Sequence, residues 1–336
     1  IRSCTSFEAL RREREAMEPG LIRQIPQSDF ADWNAAVNRL HDLITAQAVR
    51  LAESRLGREL GRTPPGPYAF ILFGSGGRNE RTLWSDQDSA LIYQDGDETS
   101  RSLFAVLSGF IEEGLLIAGY PPCDGKVSAG NPAWCRSLSE WESQLDEWFA
   151  ERSFASVRHL LIYADARTVY GRPALLMRLK RLFADRVRED GEIMQAMLNN
   201  TLHHKAGLGP FGNLLTEPYG SEAGGFDIKY GAYVPMVNAV RWLAIRKGIA
   251  ATSTLERLSL LEDELGPDAA RKWREAFLGI MRLRAQTSSF VSEEGWRISG
   301  GMLSASQLTR EVRRELKDSI RTGDQMQKWI RRAGGR

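Results

Sequence analysis

The sequence predicts an α+β fold in which a small sheet-bearing domain is preceded by a helical segment and followed by a helical bundle. Three observations predict it. Phe70–Tyr93 reads as strand, glycine turn, loop and strand; a helical stripe of apolar residues precedes it; and beyond Trp141 the pattern is mostly helical. The expected divisions are a helical segment over 1–62, the sheet-bearing domain over 63–150 and a helical domain over 151–336.

The elements follow in order. Ser28 or Asp29 can cap a helix whose apolar residues fall at Trp33, Val37, Leu40, Ile44, Ala48 and Leu51, which is helical spacing. Gly61–Gly66, with Pro64 and Pro65 inside it, closes that helix. An apolar run from Tyr68 to Phe73 stops at Gly74-Ser75-Gly76-Gly77, and a second run, Ala90 to Tyr93, follows the acids Asp86 and Asp88. Leu103, Val106, Leu107, Phe110, Ile111 and Leu115 form the next helical stripe, broken at Tyr120-Pro121-Pro122. Lys126–Ala129 is expected as a short third strand. Trp141, Leu145 and Trp148 return to helical spacing, and a Gly-rich loop, Gly207–Gly225, interrupts the helical half.

Composition narrows the function classes. The chain has 336 residues, enough for two domains, and 42% hydrophobic residues, enough for a sizeable core. The formal net charge of +2 does not mark a general nucleic-acid binder, so nucleic acid is not the expected partner. The basic run Arg313, Arg314, Lys317, Arg321, Lys328, Arg331, Arg332 reads as a solvated helix face. No apolar window long enough for a membrane span is present, and no signal peptide is visible in 1–30. The 3 cysteines, an odd and sparse set, argue for a reducing compartment, so a cytoplasmic location is expected. Cys123 and Cys135 lack zinc-ligand spacing, and the adjacent His203 and His204 do not face each other on a helix.

The chemistry concentrates in FILFGSGGRNERTLWSDQDSALIY. On a strand, residues two apart share a face, so Asp86 and Asp88 would project side by side. Paired carboxylates repel unless a cation lies between them, and Mg²⁺ or Mn²⁺ suits an all-oxygen site. The glycine turn offers backbone N–H groups to a phosphate. A phosphate cradle beside a paired-carboxylate metal site is the apparatus of nucleotidyl transfer.

This segment resembles the signature of the polymerase-β-like nucleotidyltransferase superfamily: a hydrophobic residue, Gly-Gly or Gly-Ser, a spacer of about ten, then Asp-x-Asp. The fuller string GSGGRNERTLWSDQDSALIY is similar to the domain-of-unknown-function 294 family, relatives of the uridylyltransferase that modifies the PII protein. Glu151–Gly171, Gly224–Ile245 and Thr252–Leu261 resemble that family's helical second half, so the likeness covers most of 31–290. It implies a short mixed sheet with helices on one face, an NTP as substrate, a divalent metal, and a protein hydroxyl as the leading acceptor. Gln87 departs from the superfamily pattern, in which an apolar residue is usual.

Asp86 and Asp88 are the expected metal ligands and catalytic acids. Gly74, Ser75 and Gly76 are expected to line the triphosphate, three glycines in four residues favouring close approach to a ligand. Arg78 suits a triphosphate or a neighbouring carboxylate. Ser85 supports the turn before Asp86, while Glu80 and Arg81 read as structural. In-line displacement calls for a third acid, and Asp124, the only acid between Gly114 and Glu140, is the candidate. Lys126 shares its face and is the residue that would replace it. In the helical half, the resemblance brings Asp227 and Lys229 towards the nucleotide, with Lys229 meeting a phosphate. The competing reading is a catalytically silent nucleotide-binding module that engages a partner through its helices.

Overall fold

The computed structural model describes residues 1–25, 29–123, 125–204, 206–287, 289–292 and 295–335. It contains two compact units: one from Ile1–Ala150, Asp165–Phe183 and Val291–Ile298, the other from Glu151–Ala164, Ala184–Phe290 and Ser299–Arg336.

The first unit begins with helix α1 (Phe7–Gln24), capped by Ser6, and helix α2 (Phe30–Leu60). Asp29 caps α2 by accepting from the Ala31 amide at 2.8 Å, and Gly61, at φ 61°, ends it in the left-handed conformation. The alternative cap, Ser28, lies outside the described residues. The whole predicted stripe from Trp33 to Leu51 is buried.

Strands β1 (Tyr68–Leu72) and β2 (Ser89–Tyr93) pair antiparallel with Tyr68 opposite Tyr93 and Leu72 opposite Ser89. Helix α3 is the single turn Gly74–Gly77 between them, and α4 (Glu98–Ile117) follows β2 behind an Asp97 cap. Leu40, Ile44, Ala48, Phe70, Leu72, Leu91, Phe104, Leu107 and Ile111 share one apolar cluster, so α2 and α4 cover one sheet face. Across from them the indole of Trp141 donates to the Leu91 carbonyl at 3.2 Å and packs with Trp134 and Trp148.

Two strands differ from expectation. The third, β3, is Cys135–Ser137, parallel to β2, and not Lys126–Ala129. Lys126 has φ 55°, a left-handed backbone that cannot continue a strand. The segment after it still reaches the sheet's margin, where Ser89 N donates to Val127 O at 3.1 Å. The fourth, β4 (Arg167–Gly171), pairs antiparallel with β1 and lies within a stretch expected to be helical. The mixed sheet therefore runs β3-β2-β1-β4.

In the second unit, residues 235–245 of the helix Val234–Arg246 are all buried, so this helix is its central element. The terminal helix Arg310–Gly334 buries Leu316, Ile320, Met326 and Ile330 and exposes Arg313, Arg314, Arg321, Lys328, Arg331 and Arg332. The basic run is therefore the outer side of an amphipathic helix. The Gly-rich loop exposes Phe211 and Tyr219. Among the described residues, no helix is long and apolar enough to cross a membrane.

Candidate functional site

The site grows from the end of β1. Phe73 N donates to Asp88 O at 2.9 Å, which extends the β1–β2 ladder by one pair and sets Asp88 opposite the start of the glycine turn. Gly74 has φ 52°, and a Cβ there would lie 2.2 Å from Asp88 Oδ2. Only glycine satisfies both the backbone and the carboxylate. Asp86 and Asp88 precede β2 and are not part of it. They are half-buried, while Ser85, Gln87 and Ser89 between and beside them are buried. That alternation of period two gives both acids one common side.

Cys123 joins this pair. Its thiol donates to Asp88 Oδ1 at 2.8 Å. Burial first, then the carboxylates of Asp88 and Asp86, push the thiol up to about 12, so it stays protonated at neutral pH. From the sequence Cys123 is weighed only for zinc-ligand spacing, and its partner here is a carboxylate 35 positions away. Asp124, the expected third acid, lies outside the described residues. Lys126 is exposed.

Arg78 meets neighbouring carboxylates. It is buried, its Nε donating to Glu80 Oε2 at 2.8 Å and its Nη1 to Asp165 Oδ2 at 2.5 Å. A guanidinium held by two buried acids supports the fold around the turn. Gly77 is packed against one of these acids, since a Cβ there would meet Asp165 O at 2.0 Å. Arg167 completes this support, binding Asp42 through both terminal nitrogens at 2.8 Å and donating to Gly76 O at 2.9 Å. Asp42, Asp165 and Arg167 escape sequence reasoning because their partners are remote in the chain.

Ser85 Oγ accepts from Thr82 N at 3.1 Å and lies 3.2 Å from Thr82 O, closing the loop that leads to Asp86. Ser75 is half-buried on the turn. Lys229 belongs to the second unit, where it opens a π-helical turn, Lys229–Tyr233. Asp227 Oδ1 accepts from Tyr230 N at 2.9 Å, and Lys229 Nζ lies 5.4 Å from the centre of the Tyr230 ring.

His41, on α2, holds the loop from below. Its Nε2 lies 2.9 Å from the Thr82 carbonyl and must donate there, so Nδ1 accepts from the Tyr120 hydroxyl at 2.7 Å. Burial, then Arg81 and Arg14, hold His41 well below its ordinary value. A base kept neutral in the folded chain is protonated first in the unfolded chain. Its contribution is complete above the ordinary histidine value of ~6.5 and is lost as pH falls below it, by up to about 1.4 kcal/mol per pH unit. Denaturation series between pH 7 and pH 5 should show this limb, and His41→Asn should flatten it; an equally steep loss in the variant would assign the limb to other groups.

Among the described residues, no three His, Cys, Asp or Glu side chains form a metal-binding group. Two carboxylates on one side nevertheless fit Mg²⁺ as it binds nucleotides, with one or two protein carboxylates, the phosphates and water completing its shell.

A strand, a glycine turn against an acid, and a second strand that opens behind an Asp-x-Asp pair define the nucleotidyltransferase class. Residues 22–155 match the family described as "Putative nucleotidyltransferase DUF294", and residues 191–333 match "Putative nucleotidyltransferase substrate binding domain". The chain belongs to the DUF294 nucleotidyltransferase family. No curated protein matches it.

Proposed function

We propose that this protein transfers a nucleoside monophosphate from an NTP to an acceptor, a protein hydroxyl, and releases pyrophosphate. The observation that carries the reading is the contact between Gly74 and the Asp88 carboxylate, because it sets the glycine turn and the acid pair in one place. The family membership supports it.

In this reading Gly74, Ser75 and Gly76 line the polyphosphate. Asp86 and Asp88 would hold the divalent ion, Mg²⁺ or Mn²⁺, which would supply positive charge to the phosphates during displacement. The acceptor oxygen attacks the α-phosphorus, the new O–P bond forms as the α–β bridge breaks, and pyrophosphate carries away the bridging electrons. Asp124 takes the acceptor's proton or completes the ion's ligands. A reducing, cytoplasmic setting suits the free Cys4, Cys123 and Cys135.

Incubation with each of four α-labelled NTPs, Mg²⁺ and host lysate should label one protein band, with the active NTP naming the base. Asp124→Ala should abolish labelling while NTP still binds. Binding of NTP by the native chain without any labelling or pyrophosphate release would replace the enzyme reading with that of a silent nucleotide-binding module.

A further inference from the structure

Arg81 is the most unusual charge in the first unit. It is 1% exposed, and its Nε, Nη1 and Nη2 have no hydrogen-bond partner among the described residues. Its backbone is fixed from α2, since Asn34 Nδ2 donates to Arg81 O at 2.9 Å and Arg81 N donates to Asn38 Oδ1 at 2.9 Å. The guanidinium is pressed against the glycine turn. A Cβ on Gly76 would lie 2.6 Å from Arg81 Nη2 and 2.9 Å from its Cζ.

The acids whose charge reaches it are Asp42 and Asp88. Both carboxylate oxygens of Asp42 bond to Arg167, and Asp88 Oδ1 accepts from Cys123. Near it also lie the Tyr120 ring, whose centre is 5.9 Å from Arg81 Cζ, the cation of Arg167, which repels it, and His41. Arginine does not shed its proton in proteins. A buried cation without a bonded anion is costly, and a group left in that state calls for a reason.

We propose that Arg81 is a positioning residue whose counter-charge is the polyphosphate of the bound nucleotide, acting from beneath the glycine turn. The turn has no side chain at Gly76, so one layer of backbone separates the guanidinium from the turn's outer side, and in such surroundings a charge is felt more strongly than in water. The inference rests on the reading of Gly74–Gly76 as the polyphosphate site.

Inorganic tripolyphosphate with Mg²⁺ serves as the probe, followed by thermal melting and by calorimetry on the full chain. Without ligand, Arg81→Met should melt at or above the native temperature, because it replaces a buried charge that has no bonded partner among the described residues with an apolar chain of similar length. Its affinity for the probe should fall by about tenfold or more, the scale of losing an interaction with a charged group. Arg81→Lys, which keeps the charge, should retain more of the affinity than Arg81→Met. Undiminished binding by Arg81→Met would overturn the proposal. So would a ligand-free Arg81→Met chain that melts far lower or does not fold, since the cation would then be balanced within the protein. If Ser75→Ala weakens binding and Arg81→Met does not, the turn reading stands and this inference falls; if the native chain does not bind the probe, both fall.

Discussion

Asp88→Asn should abolish Mg²⁺-dependent nucleotide binding and transfer while leaving the melting temperature close to native. Asp88 carries the largest expected functional effect because three features converge on its carboxylate. It faces the same side as Asp86, it lies against Gly74, and its Oδ1 accepts the Cys123 thiol. The amide keeps the shape and the backbone bond from Phe73 but removes the charge that a hard cation needs. Stability should change little because two electrostatic effects oppose each other. Repulsion from Asp86 is relieved, and the attraction to Arg81 is lost. A second readout is independent of activity. The Cys123 thiol, pushed up to about 12 in part by Asp88, should titrate lower in the variant, as the pH dependence of its alkylation would show. Full metal-dependent turnover in Asp88→Asn would remove the pair from the catalytic site, and an unmoved thiol would contradict the contact itself.

What was legible in the sequence is what is local. The stripe from Trp33 to Leu51 and the run from Tyr68 to Phe73 announce a helix and a strand because their periods are set by their own burial. The Asp-x-Asp pair and the glycine turn were legible for the same reason, since they are neighbours across one hairpin. The strand Arg167–Gly171 was not. It is five residues long, half-exposed, and follows directly on a helix, Phe154–Tyr163, so nothing in its own pattern separates it from that helix. The third strand was misplaced because Lys126 adopts a left-handed turn that its identity does not advertise. Arg78 shows the same limit in the site. Its residue type specifies an anion partner, but one of those it finds, Asp165, is 87 positions away in the chain, where no spacing rule reaches.

That pairing makes Arg78→Ala the substitution with the largest expected cost in stability. Arg78, Glu80 and Asp165 are 5%, 2% and 0% exposed, so the cation and both acids are out of water together. Removing the guanidinium takes from two buried carboxylates a cation that both are bonded to. Breaking such a cluster from one side costs about 3–5 kcal/mol, far more than an exposed ion pair. The damage should spread to the turn, because Asp165 also presents the carbonyl against which Gly77 is packed. Chemical denaturation should therefore show a large loss of unfolding free energy, with nucleotide affinity falling only as a consequence of the weakened fold. Arg78→Lys should recover part of the stability, since an ammonium restores the charge but cannot reach both acids with the planar fork. The opposite pattern, native stability with a selective loss of NTP binding, would assign Arg78 to the nucleotide and make Asp165 its positioning partner.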